Sequence, residues 1–189
     1  DAKVPLHAIL SGKCSEDDWA RINYSAAESI NAPLAIDDSP ELTIGDIRAR
    51  ARKIHRQQGG LALVAVDYLQ LINGPRGENR QVAVGAISRG LKLMAKQLNV
   101  PVLVAAQLNR DSEKRTDKRP LMSDLRESGG IENDADVIIL IHRDDYHDSE
   151  SSRAGEADLI VDKNRGGPKD TITVAAQLHL ARFQSMAIV

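Results

Sequence analysis

The sequence predicts an α/β fold: a mostly parallel sheet flanked by helices, with an antiparallel hairpin toward the C-terminus. Three observations carry this. Residues 61–66 are continuously apolar, as strands covered on both faces are, and residues 100–106 read as a second buried strand. Between them Ile87, Leu91, Met94 and Leu98 form one helical stripe, as a crossover connection requires. Finally, residues 157–163 and 171–176 flank Gly166-Gly167-Pro168 and read as a hairpin.

Taken in order, residues 16–30 read as a helix capped by Ser15, with acidic residues in the first turn and Trp19, Ile22 and Ala26 on one face. Pro33 ends it, and Leu34-Ala35-Ile36 reads as a short buried strand stopped by Asp37-Asp38-Ser39-Pro40. Thr43 starts a second helix with Asp46 three positions on, a variant of the capping box. Its basic end, residues 48–56, suits a helix C-terminus, and Gly59-Gly60 closes it. The apolar strand at 61–66 runs into Asp67. A polar loop over 73–79 leads into a helix over 80–98, broken by Asn99. The second strand ends in Gln107, a charged loop covers 110–120, a short helical piece lies around 123–127, and residues 136–142 form a third buried strand. Chemistry in such a sheet belongs at the carboxyl ends of the strands.

Composition narrows the class. With 189 residues, 42% hydrophobic and 28% charged, the chain can bury a core and is neither disordered nor fibrous. No apolar run is long enough for a membrane helix. Net charge is −2, from 25 basic and 27 acidic side chains, so any nucleic-acid contact must come from a local patch. A single cysteine, Cys14, excludes an intramolecular disulfide and a cysteine zinc cluster, and fits a reducing, cytoplasmic setting. The first residue is Asp1 and not Met, so the sequence reads as a fragment or processed piece.

Several residues could carry chemistry. Asp67, directly after six apolar residues, stands where a carboxylate can hold a hydrated Mg²⁺ against nucleotide phosphates, although strands also stop at a solvated Asp. Gln107 repeats the arrangement on the next strand, where an amide can sense a γ-phosphate or orient a water. Lys163 and Arg165, at a hairpin tip, can either solvate the turn or reach a neighbouring subunit's nucleotide. The stretch 123–130 combines a cap, the cation Arg126 and the pair Gly129-Gly130, which suits DNA phosphates or an ordinary helix end. The loop 110–119 holds five cations against three acids, a weak polyanion signal, and at 3% aromatics base stacking is not the main binding mode. His142 and His147 with Asp144, Asp145 and Asp148 match no metal-ligand spacing and read as a solvated acidic loop. Gly12-Lys13 lacks the first glycine and the Ser/Thr of a phosphate loop, and no GxxxxGK[ST] occurs in the chain.

Together, Val66-Asp67-Tyr68-Leu69-Gln70-Leu71, Glu78-Asn79-Arg80-Gln81, Val100-Pro101-Val102 through Gln107-Leu108, Asp117-Lys118-Arg119-Pro120 through Ser123-Asp124-Leu125-Arg126-Glu127-Ser128-Gly129, Asp134-Ala135-Asp136, Lys163-Asn164-Arg165-Gly166-Gly167-Pro168 and Arg182-Phe183 resemble the C-terminal motor domain of DnaB-type replicative helicases, in order and over essentially all of the chain. The resemblance implies a RecA-like fold, a homohexameric ring, and ATP- and Mg²⁺-driven travel on single-stranded DNA at the replication fork. It implies that Asp67 is the Walker B carboxylate, Gln107 the phosphate sensor, and Lys163 and Arg165 a finger pair acting in trans. Arg126, Glu127 and Gly129 fall in the stretch that resembles the DNA-contacting loop. Primase and a helicase loader are the implied partners of the intact protein, which would be cytoplasmic and nucleoid-associated. In the family the phosphate-binding loop, the catalytic glutamate and a helical N-terminal domain precede the matched region. Residues 1–189 are therefore expected to be one partial RecA-like domain, inactive alone. The other readings are a RecA-type recombinase or related ring ATPase, and a non-catalytic module that joins a ring through its finger edge.

Overall fold

The computed structural model describes residues 2–75, 77–125 and 129–186. In chain order the principal elements are α1 (Leu6–Ser11), α2 (Glu16–Ser29), α3 (Ile44–Gln57), β1 (Val64–Val66), α4 (Arg80–Leu98), β2 (Val102–Val104), α5 (Gly129–Asp134), β3 (Val137–His142), β4 (Glu156–Asn164), β5 (Asp170–Gln177) and β6 (Arg182–Ser185). β1 and β2 form a parallel pair in the register Val64↔Val102, Ala65↔Leu103, Val66↔Val104. A second sheet has the order β3-β4-β5-β6, with β5 and β6 antiparallel. The expected parallel strands, flanking helices and C-terminal hairpin are thus all present.

The helices start where short-range chemistry says they should. Ser15 and Thr43 each accept from the backbone N–H three residues on, while Asp18 and Asp46 accept from the cap residue's own N–H, closing a capping box at α2 and at α3. Asn79 caps α4 by accepting from Val82 N–H at 2.9 Å. Asn99 ends α4 with φ 51°, in the left-handed region that asparagine tolerates. Gly12 stops α1 in the same way, at φ 68°, and Lys13 N–H donates to the Ala8 carbonyl, so Gly12-Lys13 is a helix stop.

The described chain divides into two compact units. One comprises residues 39–142 and 160–171. Its main core is Ile87, Leu91, Met94 and Val84 of α4 with Ala51, Leu69 and Ile72, against which Val64, Val66, Val102 and Val104 pack. A second cluster joins Leu125, Ile138 and Leu140 to Ala106, Ile131 and Ile160. The other unit comprises residues 2–38, 143–159 and 172–186. There Arg153 donates to Asp158, Glu156 and Asp144, and the buried Asp158 also accepts from Thr173 Oγ1 at 2.8 Å. These acceptors hold the Arg153 guanidinium far above its ordinary range, first through the hydrogen bonds to Asp158 and Glu156.

Four sequence expectations need correction. Residues 34–36 form no strand; Leu34 and Ile36 are 73% and 82% exposed, because a lone apolar triplet finds no neighbouring strand to complete its hydrogen bonds. The strands at 61–66 and 100–106 shorten to β1 and β2, and neither is buried on both faces. Leu63 and Leu103 remain largely exposed, since α3 and α4 cover only the alternate face among the described residues. The third strand also alternates: Ile138, Leu140 and His142 point inward and Val137, Ile139 and Ile141 outward. The helical piece near 123 is a single 3₁₀ turn, Met122–Asp124. The sequence pattern did not announce α1, α5 or β6.

Candidate nucleotide site and finger pair

Parallel pairing of β1 with β2 sends both segments out at the same sheet edge, where Asp67 comes one residue after the last registered pair and Gln107 three residues after it. After the last registered pair, Val66↔Val104, Ala105 N–H donates to the Val66 carbonyl at 3.0 Å and Leu69 N–H to the Ala105 carbonyl at 2.9 Å. Asp67 is exposed, the Asp67–Tyr68 peptide is cis, and buried Leu69 anchors the 3₁₀ turn Leu69–Leu71 that follows. Gln107 is likewise exposed.

One contributor is absent from the sequence reading as a site residue. The Gln70 side chain meets the Gln107 backbone twice: its Nε2 donates to the Gln107 carbonyl and its Oε1 accepts from Gln107 N–H, each at 3.3 Å. Arg80, first residue of α4, donates to the Gln70 carbonyl at 2.9 Å. The available signal was a polar residue inside the apolar run Leu69-Gln70-Leu71-Ile72.

Asp67 fits Mg²⁺ in one specific sense. Mg²⁺ keeps several waters and takes one or two carboxylates together with substrate phosphates. A single exposed carboxylate at a sheet edge suits that shared coordination, and no group of three or more His, Cys, Asp or Glu among the described residues forms a protein cage. Asp144 and Asp145 of the acidic loop are engaged by Arg153 and Arg143.

Lys163 and Arg165 bind the end of α5, not the Asp67–Gln107 edge. The Lys163 ammonium donates to the Glu132 carbonyl, and Arg165 Nη2 to the Asn133 carbonyl at 2.7 Å. These carbonyls lie in the last turn, where a helix lacks internal donors and its dipole favours cations. Arg165 N–H donates to the Asp136 carbonyl at 2.9 Å, and its guanidinium lies 3.7 Å from the Asp136 carboxylate. The Lys92 ammonium pairs with the same carboxylate and is the main reason that Asp136 titrates below its ordinary range, with the Arg165 and Lys163 charges adding to it. Arg89 of α4 reaches buried Asp134 at 3.0 Å.

Of the predicted DNA-contacting residues, Arg126 and Glu127 lie outside the described residues. Gly129 opens α5, and a Cβ built there would meet nothing within 4 Å. In the loop 110–119, Lys114 and Arg115 are committed internally. Lys114 pairs with Asp111, while Arg115 forms a two-point pair with buried Asp124 at 2.8 and 2.6 Å and also donates to the Arg119 carbonyl. Asp124 accepts from Leu121 N–H and its carbonyl from Asn109 N–H, so it joins both ends of the loop. A cation counted toward a polyanion signal is therefore a fastening of the loop.

Comparison with known proteins identifies the family and the fold. A replicative DNA helicase DnaB of Mycobacterium leprae (strain TN) is 55% identical over 188 residues, which is 99% of this chain and 31% of that relative. The solved structure described as the ATPase domain of G40P superposes with a TM-score of 0.93 at 34% identity, covering 98% of this chain and 67% of the other. A second, described as a DnaB-like replicative helicase and its interactions with primase, gives 0.93 at 34% over 98% of this chain and 45% of the other. The chain thus spans about a third of the length of the curated relative. Residues 1–185 match the sequence model described as DnaB-like helicase C terminal domain, and the chain belongs to that family.

Proposed function

We propose that this chain is part of the motor of a homohexameric, ATP-dependent replicative DNA helicase that moves on single-stranded DNA and unwinds duplex at the fork. The observation that supports the reading is that Asp67 and Gln107 both follow paired parallel strands out of the same sheet edge. In this reading Asp67 holds Mg²⁺ through water, and the bound ion supplies charge neutralisation at the nucleotide phosphates. Gln107 senses the γ-phosphate or orients the attacking water. Lys163 and Arg165 serve a neighbouring subunit's nucleotide, for which they must exchange the Glu132 and Asn133 carbonyls for phosphate oxygens. Such a trans contact requires a head-to-tail interface, which forms a ring when the rotation between neighbours closes. Arg126, Glu127 and Gly129 are assigned to the DNA strand. Primase and a loader are proposed partners of the whole protein. For primase the support is the structural neighbour described together with its primase interactions. Cytoplasmic, nucleoid-associated residence is proposed with them; no helix among the described residues is long and apolar enough to cross a membrane.

The test is a chimera in which this segment replaces its counterpart in a full-length DnaB helicase. The chimera should unwind a forked duplex, and Asp67→Ala should lower its ATP turnover by at least ~10²-fold. Near-normal turnover in Asp67→Ala would remove the assignment.

A second reading applies to the 189 residues by themselves. They contain no GxxxxGK[ST] loop to hold phosphates, so alone they should not turn over ATP, yet they carry the finger pair. Added to an intact helicase, the chain should alter its ATPase rate, and the Arg165→Ala chain should not. Multiple turnover by the chain alone, abolished by Asp67→Ala, would refute the inactive-alone reading.

A further inference from the structure

We infer that Gln70 is a positioning residue for Gln107: its side-chain amide acts as a surrogate β-strand that fixes the peptide from which the sensor side chain projects. The inference rests on the reading of Gln107 as phosphate sensor and goes beyond it, because it explains how an exposed amide at the end of a short strand is held in one place.

The β1–β2 ladder would otherwise stop too early. β2 ends at Val104, three residues before Gln107, and the last main-chain bond across the pair is from Leu69 N–H to the Ala105 carbonyl. Beyond it the 3₁₀ turn Leu69–Leu71 carries the partner backbone away from an extended path. An unpaired strand end in that position samples several φ/ψ values, and the side chain at its tip is spread accordingly. The planar Gln70 carboxamide offers an N–H donor and a carbonyl acceptor together, and these meet the C=O and N–H of Gln107, each at 3.3 Å. Neither bond is short, but two bonds to one residue's N–H and C=O define its rotation as a rung of the ladder would.

The clamp is itself anchored. Its backbone follows buried Leu69, and Arg80 donates to the Gln70 carbonyl from the first turn of α4, the helix whose Ile87, Leu91 and Met94 make the main core. The chain of support therefore runs from the core through α4 to Arg80, Gln70 and then Gln107. Preorganised groups lose no reorganisation energy at the moment charge develops, and a misplacement of about 1 Å at a reacting centre costs roughly 10²-fold in rate.

Two measurements on Gln70→Met, which preserves side-chain length but not the two hydrogen bonds, test the inference. In the 189-residue chain, exchange of the Gln107 amide should accelerate roughly five- to tenfold while the amides of α4 keep their protection. In the chimeric helicase, kcat for ATP should fall roughly 10- to 100-fold with KM within about twofold, the signature of a contact realised only in the transition state. Gln70→Asn, polar but one methylene too short to span both groups, should behave as Gln70→Met. The double variant Gln70→Met/Gln107→Ala should be no slower than Gln107→Ala, since the clamp acts only through that side chain. An unchanged Gln107 amide, full turnover in Gln70→Met, rescue by Asn, or additive losses in the double variant would each overturn it. If Gln107→Ala itself keeps normal turnover, it is the sensor reading that fails, and the clamp loses its function with it.

Discussion

Arg165 Nη2 donates a 2.7 Å hydrogen bond to the carbonyl of Asn133, in the last turn of α5. The residue proposed to complete a neighbour's site is thus engaged within its own subunit, on the helix that begins at Gly129. Moving the guanidinium to a phosphate would exchange this carbonyl, and the Asp136 carboxylate 3.7 Å away, for charged oxygens in direct hydrogen-bond contact. In the chimeric helicase, Arg165→Ala should lower ATP turnover roughly 10³-fold or more with a modest loss of ATP affinity. Turnover close to normal would end the finger assignment.

Gly85 and Gly130 set how closely α4 and α5 approach, and they do so asymmetrically. A Cβ on Gly130 would lie 2.6 Å from Gly85 Cα, whereas a Cβ on Gly85 would meet Gly130 Cα only at 4.0 Å. Gly130→Ala forces two backbones apart and should destabilise by about 1–3 kcal/mol. Gly85→Ala replaces a mid-helix glycine in ordinary contact and should be neutral or stabilising by up to about 1 kcal/mol. Chemical denaturation of the 189-residue chain checks both, and equal losses would contradict the geometry.

Gly129 has open space at its Cβ position, so Gly129→Ala should leave the unfolding midpoint of the chain within about 2 °C. If the strand backbone passes close to this glycine, the same change in the helicase should weaken single-stranded DNA binding. Arg126→Ala should weaken it too, and should reduce the salt slope by about one phosphate contact. Binding unaffected by either change would remove this stretch from the DNA path.

Asp124 should contribute to the loss of stability in acid. Hydrogen bonds from Arg115 in the first place, and also from Leu121 N–H, hold its carboxyl below the ordinary value of 3.8 against the opposing effect of burial. Folding therefore weakens proton binding at Asp124, so the unfolded chain binds more protons in this range and stability rises with pH. The contribution is complete above the ordinary carboxylate range and fades as pH falls below about 4 toward the depressed native value. Asp124→Asn should lower the thermal midpoint at about pH 7 by roughly 2–8 °C and flatten the loss of stability below about pH 4. An acid limb as steep as that of the parent would show that other carboxylates, such as Asp136 or Asp46, dominate it.

Thr43→Ala removes the side-chain acceptor for Asp46 N–H at the start of α3 and should cost about 1 kcal/mol, measurable by the same denaturation. Thr43→Ser, which restores the hydroxyl, should recover most of it.

Short-range chemistry was legible in the amino-acid order. Ser15 with Asp18, Thr43 with Asp46, Asn79 and Asn99 fix helix ends through contacts within four residues, and the stripe of Ile87, Leu91 and Met94 declares which face of α4 is buried. The strand-end position of Asp67 was legible for the same reason, since a polar residue after an apolar run marks a sheet edge, whereas Gln107 stands three residues beyond the end of β2. The family strings pointed to the fold, and the roles that spacing alone left open are proposed from them.

Tertiary structure decided the rest, because hydrogen bonds between distant residues leave no local trace. Leu34-Ala35-Ile36 has the apolarity of a strand, but a strand exists only where another backbone offers matching groups, and here none does among the described residues. Arg115 looks like part of a basic patch until Asp124 folds onto it, and Arg165 like a free fingertip until the carbonyls of α5 lie beneath it. Gln70 and Gln107 are 37 residues apart, and only the parallel register of β1 with β2 turns an ordinary glutamine into the support of another. The sequence by itself determined where most helices begin and end and which residue types stand at the sheet edge. Which of those side chains are held, and by what, was determined by packing, where burial makes an unmatched donor or acceptor costly and so selects the partner.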